Sequence, residues 1–177
     1  IIIVISLFAG ISNYVLINEI NNKEKVLDEK DHHKILANNF VLLVTSTTLG
    51  YMDAIVDKDS FKVKEEIKEK HAKMRKWFDE NKPKIEQLFF GLKKEKGDIV
   101  EKVEKYWKNG DELLKAIEAK EIEKTANYDD VIDDINEEIQ DVTAIELKKI
   151  QKDFEEAQND LKVLEDKAKI ISLISAL

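Results

Sequence analysis

Cysteine is absent from this chain of 177 residues, which excludes disulfides, thiolate metal sites and cysteine nucleophiles. Proline occurs once, at Pro83, and glycine five times, so few positions can break a helix. Arginine also occurs once, at Arg75. Lysine and arginine number 29 against 37 acidic residues, a formal charge of −8, and no basic stripe stands out. That balance argues against a nucleic-acid partner. Catalytic signatures are missing as well: there is no G-x-S-x-G, no P-loop, no H-E-x-x-H and no repeated Glu-x-x-His. No enzyme is expected, and no cofactor or resident metal.

What is present is the composition of long helices, rich in Lys, Glu, Ala, Leu and Ile. The ends differ from the middle. Residues 1–17 read IIIVISLFAGISNYVLI, with no charge before Glu19, and residues 169–177 turn apolar again as KIISLISAL. A spanning helix needs about 20 apolar residues. Each end therefore reads as part of one: 1–17 as part of a first transmembrane helix, 169–177 as the start of a second, and 18–168 as a soluble domain between them. A first residue other than Met is expected of a segment of a longer protein.

Turn-forming clusters divide the interior into four helical stretches. The first runs to about Val56, with Ile35, Asn38, Leu42, Thr45, Leu49, Met52 and Val56 as its inner stripe. A second stripe through Leu36, Phe40 and Leu43 makes this helix apolar on two sides, and a helix apolar on two sides needs two partners. The second stripe is the expected dimer interface. The second helix is expected from near Phe61, its stripe being Val63, Ile67, His71, Met74, Phe78, Ile85, Leu88 and Leu92. Pro83 either kinks it or starts a new helix. KKEKGD, Lys93 to Asp98, is the next turn. The third helix carries Val103, Tyr106, Gly110, Leu113 and Ile117, and the fourth runs from about Tyr128 through Ile135, Ile139, Thr143, Leu147, Ile150 and Phe154. Short turns between long helices predict an all-α, antiparallel up-down-up-down four-helix bundle, with helices 1 and 4 extending into the membrane.

Asp57-Lys58-Asp59 is the first place to look for a metal site. Counting from Asp57, an EF-hand would need Gly at the sixth position and Glu at the twelfth, where this chain has Lys62 and Lys68. The cluster reads instead as a polar turn in which Asp59 or Ser60 caps the second helix. Asn127 reads as the cap of the fourth, with Asp129 and Asp130 in its first turn. Measured from the turn near Asp59, His33 lies roughly 39 Å down the first helix and His71 roughly 18 Å down the second, too far apart to share a metal. His71 sits on the seam, where a hydrogen-bonded core histidine and a ligand contact are both open.

Arg75 falls level with Thr45 on the first helix, near Asp111 on the third and near Asp141 to Thr143 on the fourth, so an arginine paired to a neighbouring acid is one reading. The seam at that level carries Thr45, Gly110 and Thr143, small or polar residues where a bundle ordinarily has Leu. Trp107 is close by. Such a level can leave room for a small ligand, and a guanidinium is shaped to hold a carboxylate. The candidate ligand-binding residues are Arg75, Thr45, Thr48, His71, Trp107 and Thr143.

The segment LGYMDAIVDKDS closing the first helix, the apolar run before it, EAQNDLKVLEDKAKIISLISAL closing the fourth and the four-helix rhythm between them carry a resemblance. The chain resembles the periplasmic four-helix-bundle ligand-binding domain of a bacterial methyl-accepting chemotaxis protein. The resemblance implies a homodimer joined through its first helices, a small ligand or accessory protein bound in the distal half, and a signal relayed through the fourth helix. It implies an inner-membrane protein whose residues 18–168 are periplasmic or extracellular. Relatives that sense aspartate or serine grip the ligand carboxylate with arginines on the first helix, and this chain has none between Lys34 and Lys58. Arg75, on the second helix, points instead to a pocket within one protomer or to no direct ligand at all. A histidine kinase or cyclase sensor with the same bundle, and a membrane-tethered coiled-coil adaptor without a small ligand, are the alternatives.

Overall fold

The structure, a computed structural model, describes residues 2–175, and side chains for 10–173. The outer parts of the expected membrane segments 1–17 and 169–177 lie outside those described side chains. The elements are α1 (Ile2–Val56), α2 (Glu65–Phe89), a short α3 (Lys93–Lys96), α4 (Ile99–Glu118) and α5 (Ile122–Ser175), with no strand among the described residues. The chain is all-α, as its composition requires. It forms two compact units, one of residues up to Lys34 together with those from Lys148, the other spanning Ile35–Leu147.

Several helix ends differ from expectation, and each has a local cause. Helix α1 stops at Val56, as expected. Lys58–Ser60 then forms a 3-10 turn and Phe61 takes a left-handed φ of 53°, so α2 begins only at Glu65. Neither Asp59 nor Ser60 caps it. The capping position is held by Lys64, whose ammonium pairs with Asp57. Helix α5 starts at Ile122, which places Asn127 inside the helix rather than at its cap. The preceding turn is closed by Lys120 at a φ of 65°, with Glu121 N–H donating to Ala116 O and Lys120 N–H to Ile117 O. This is the two-bond helix stop usually built on glycine. The Lys120 ammonium lies 5.3 Å from the Phe61 ring centroid, so the two turns meet. Pro83 lies inside an unbroken α2. At the opposite turn Gly97, at a φ of 81°, supplies a conformation other residues avoid, and the Asp98 side chain accepts from Val100 N–H to cap α4.

The unit spanning Ile35–Leu147 holds a continuous core. Phe40 contacts Phe78 and Phe89, with ring centroids 6.3 and 5.9 Å apart, and Phe78 meets Trp107 edge-on at 4.6 Å. Met74, Ile85, Val103, Leu113, Ile117, Ile132 and Ile139 fill the space around them. The expected stripes of the second, third and fourth helices are buried or half-buried in this unit, although Val63 and Leu92 lie outside α2. On α1 the expectation reverses. Ala37, Phe40, Val44, Thr47, Tyr51 and Ala54 face the core, while Ile35, Leu42, Leu49, Met52 and Val56 are exposed, Leu42 at 66% and Val56 at 81%. Both sets repeat three and four apart. They are offset by two residues, about 200° around a helix, and so occupy opposite faces. Phe40, expected at a dimer interface, is buried inside its own chain, and Leu36 and Leu43 are half-buried.

Ion pairs join α2 to α4 at Lys82–Glu104, Arg75–Asp111 and Lys68–Glu118, seven residues apart on each helix, the numbering falling on one as it rises on the other. The other unit shows the same pattern. Lys23 pairs with Asp160 and Lys30 with Asp153, and Lys34 donates to Gln151 Oε1. Ile150 and Ala157 are buried there, while Ile11, Tyr14, Val15, Ile17, Ile170 and Leu173 are exposed.

Truncating Phe40 to Ala should cost about 3–5 kcal/mol in denaturant unfolding, as for other buried aromatics. Leu42→Ala, on the opposite face, should cost far less in a monomeric sample; equal losses would contradict the reversed stripe. Lys93 beside Asp98, with the Val100 N–H, holds the Asp98 carboxyl below its ordinary value. The stability this adds is present above the unfolded-state value near 3.8 and disappears as pH falls through the lower folded value. Asp98→Ala should therefore cost about 1 kcal/mol at pH 7 and almost nothing once both states are protonated, measured by unfolding across that range.

Candidate functional site

A chain of polar contacts crosses the core unit where α1, α2 and α4 meet. Tyr51 on α1 fills the space above Gly110 on α4, and a methyl group built on that glycine would overlap the Tyr51 ring and hydroxyl. The Tyr51 hydroxyl makes a short hydrogen bond to His71 Nδ1 on α2, and His71 Nε2 lies 2.9 Å from Asp111 Oδ1 on α4. The second Asp111 oxygen lies 3.4 Å from Arg75 Nη1, and the Arg75 guanidinium sits 5.9 Å from the Trp107 ring centroid. Beside this array, Thr48 bonds the Tyr106 hydroxyl at 2.7 Å, and the Tyr51 and Tyr106 rings lie 5.7 Å apart.

The protonation pattern follows from the partners. A carboxylate only accepts hydrogen bonds, so His71 carries its proton on Nε2 and donates it to Asp111. Nδ1 is then an acceptor, and the Tyr51 hydroxyl donates to it. Burial pushes His71 below its ordinary value, against the pull of Asp111, and Arg75 adds to the lowering. Burial also raises Tyr51, helped by Tyr106 and Asp111, and raises Tyr106. All three aromatic groups are held neutral at neutral pH.

Of the expected ligand residues, the fold brings Arg75, His71 and Trp107 together, with Asp111 and Tyr51 between them. Thr48 belongs to the adjoining Tyr106 pair and also donates to its own helix at Val44 O. Thr143 turns its hydroxyl onto Ile139 O, and Thr45 is half-buried; neither hydrogen-bonds to the cluster. The small residue at Gly110 does not leave a ligand space, because Tyr51 occupies it. Sequence reasoning placed Arg75 near Asp111, and the two do pair, but it missed Tyr51. The available signal was the level match between a seam glycine and a tyrosine on the neighbouring helix.

What remains open to solvent is a shallow groove lined by His71, Ala72, Arg75, Lys76, Asp79, Glu80 and Asp111. Its cations are matched by three carboxylates, and Arg75 already faces Asp111. A ligand carboxylate would have to compete with that aspartate. The indole N–H of Trp107 is buried without a hydrogen-bond partner among the described residues. No group of three or more His, Asp or Glu able to hold a metal occurs among the described residues, the aspartates near both turns included. Asp129, in that region, is raised by burial and by Asp133 and Asp130.

Among the described residues one helix, Gly10–Val56, is long and apolar enough to cross a membrane by length and composition, and 39% of the qualifying stretch is buried within the protein. No protein-family model matches the chain, and no curated protein or solved structure was found to match it.

Gly110→Ala should destabilise by about 1–3 kcal/mol through overpacking, despite the better helix propensity of alanine. In a Tyr51→Leu background the same change should be neutral or stabilising. A double-mutant cycle in denaturant gives the coupling directly, and additive effects would refute the contact.

Proposed function

We propose that this chain is the extracytoplasmic sensor domain of a bacterial transmembrane receptor of the chemotaxis type, folded as an antiparallel up-down-up-down four-helix bundle. The observation that carries the reading is the exposed apolar surface toward the start of α1 and the close of α5. Ile11, Tyr14, Val15 and Ile17 on one helix, and Ile170 and Leu173 on the other, are large apolar side chains facing outward. Lipid is the solvent such surfaces suit, while the charged remainder of both helices suits water. Helices of 55 and 54 residues run from those ends into the core unit without interruption. They are its covalent links to those ends, and in this reading a signal is relayed along the second of them.

The receptor is a homodimer in this reading. The exposed heptad of α1, Ile35, Leu42, Leu49, Met52 and Val56, replaces the expected Phe40 stripe as the face that meets the second copy. A membrane-tethered adaptor is the second reading, favoured by the filling of the Gly110 space by Tyr51, which removes one reason to expect a small ligand. A histidine kinase or cyclase headed by the same domain is the alternative output.

The absence of native cysteine makes both claims testable with single-cysteine variants. Ser60→Cys in a bacterial inner membrane should react with an impermeant maleimide from the periplasmic side. Reaction only after the inner membrane is breached would overturn the extracytoplasmic placement. Leu42→Cys and Leu49→Cys should give disulfide-linked dimers on mild oxidation, whereas Ala54→Cys, facing the core, should not. Equal cross-linking at all three would sink the heptad interface.

A further inference from the structure

The array at Tyr51 raises a question that the proposed role leaves open: why a bundle core should hold a histidine between a tyrosine and an aspartate. His71 is bonded to both neighbouring helices at this level, through Nδ1 to α1 and through Nε2 to α4. Its two bonds have different tolerance for a proton. The Asp111 bond survives protonation of the ring, because Nε2 donates in either state. The Tyr51 bond does not survive in its present form. Once Nδ1 carries a proton, the tyrosine oxygen must accept, and its own proton must turn toward another acceptor. The ring has little freedom to help, since it is pressed against Gly110 and lies beside Tyr106, whose hydroxyl is engaged with Thr48.

We propose that Tyr51, His71 and Asp111 form a proton-operated latch, in which protonation of His71 reverses its bond to Tyr51 and loosens α1 from α2 and α4. This inference stands independently of the sensor reading. If the chain is a sensor, the proton is one stimulus it detects.

The groups facing the ring act in opposing directions. From α4, Asp111 favours the protonated ring; from α2, Arg75 opposes it. From α1 the facing group is Tyr51 itself. Helix α5 contributes Asp133, whose charge bears on Tyr106 beside the latch. Burial outweighs the pull of Asp111, so the folded ring releases its proton more readily than the unfolded one, whose ordinary value is 6.5. A depressed value means that the neutral ring adds stability in full above the unfolded value. The stability is lost as pH falls below it toward the folded value. The latch is therefore closed at neutral pH and opens on acidification.

The test uses the full 177-residue chain in lipid nanodiscs, with nitrogen-15 NMR of the histidine rings assigned against His71→Gln. At pH 8 the ring of His71 should carry its proton on Nε2 alone. Titration to pH 5 should protonate Nδ1 together with shifts in the α1 amides between Val44 and Ala54. The melting temperature should fall by a few degrees more than in His71→Gln, whose amide can still accept from Tyr51 and donate to Asp111 without titrating. Tyr51→Phe should titrate at higher pH, because the donor favouring the neutral ring is gone, and should lose the linked α1 shifts. The proposal is overturned by an Nδ1-protonated ring at pH 8 or by protonation that leaves the α1 amides unmoved. It is equally overturned by linked α1 shifts that persist in Tyr51→Phe, or by His71→Gln keeping the full pH response.

Discussion

Tyr51 against Gly110 is the contact on which the middle of the core unit depends. A tyrosine ring is too large to face a leucine across a seam, so α4 must present a residue without a side chain where the ring lands. Once there, the ring needs a partner for its buried hydroxyl. His71 supplies it and in turn needs Asp111. Each polar group in the sequence is made necessary by the one before, ending at Arg75 on the surface. The outcome is a set of directional bonds tying three helices together at one height, where apolar packing alone would permit sliding.

That chain of necessity also bears on function. Arg75 has the chemistry to hold a carboxylate, but its nearest carboxylate is already supplied by Asp111, and the groove around it carries further acids. The same residues that resemble a ligand grip therefore serve the fold first. What they retain is sensitivity to charge: one titratable ring, one acid and one base share a line of contacts reaching from the surface to α1. A domain whose long helices lead to apolar ends can use such a line to convert a local protonation into a change of helix packing.

The legible parts of the fold were those in which one pattern had one meaning. Helices α2, α4 and α5 each carry a single dominant apolar stripe within the core unit, and those stripes lie inside. The end of α1 at Val56 follows from the charge burst after it. The α4–α5 turn was misplaced because Lys120 takes the left-handed position that glycine would have announced. Asp59 and Ser60 looked like caps by residue type, but Phe61 bends the chain away before α2 begins. At the candidate site, Arg75, His71 and Trp107 were legible from their shared level. Asp111 was legible as an acid near Arg75, though not as the partner of His71. Tyr51 was not legible, since nothing local distinguishes a tyrosine pointing at a glycine from one pointing at solvent.

Sequence alone determined that the chain is helical, poor in breakers and apolar toward both ends. Those are properties of composition and period, which survive without knowledge of neighbours. Which face of α1 turns inward was decided by tertiary structure. Two apolar heptads lie about 200° apart on that helix, equally regular, and the choice between them rests on shape. Phe40 has a nest between Phe78 and Phe89, and Tyr51 has a vacancy over Gly110. Both belong to other helices, so no reading of α1 by itself could have found them.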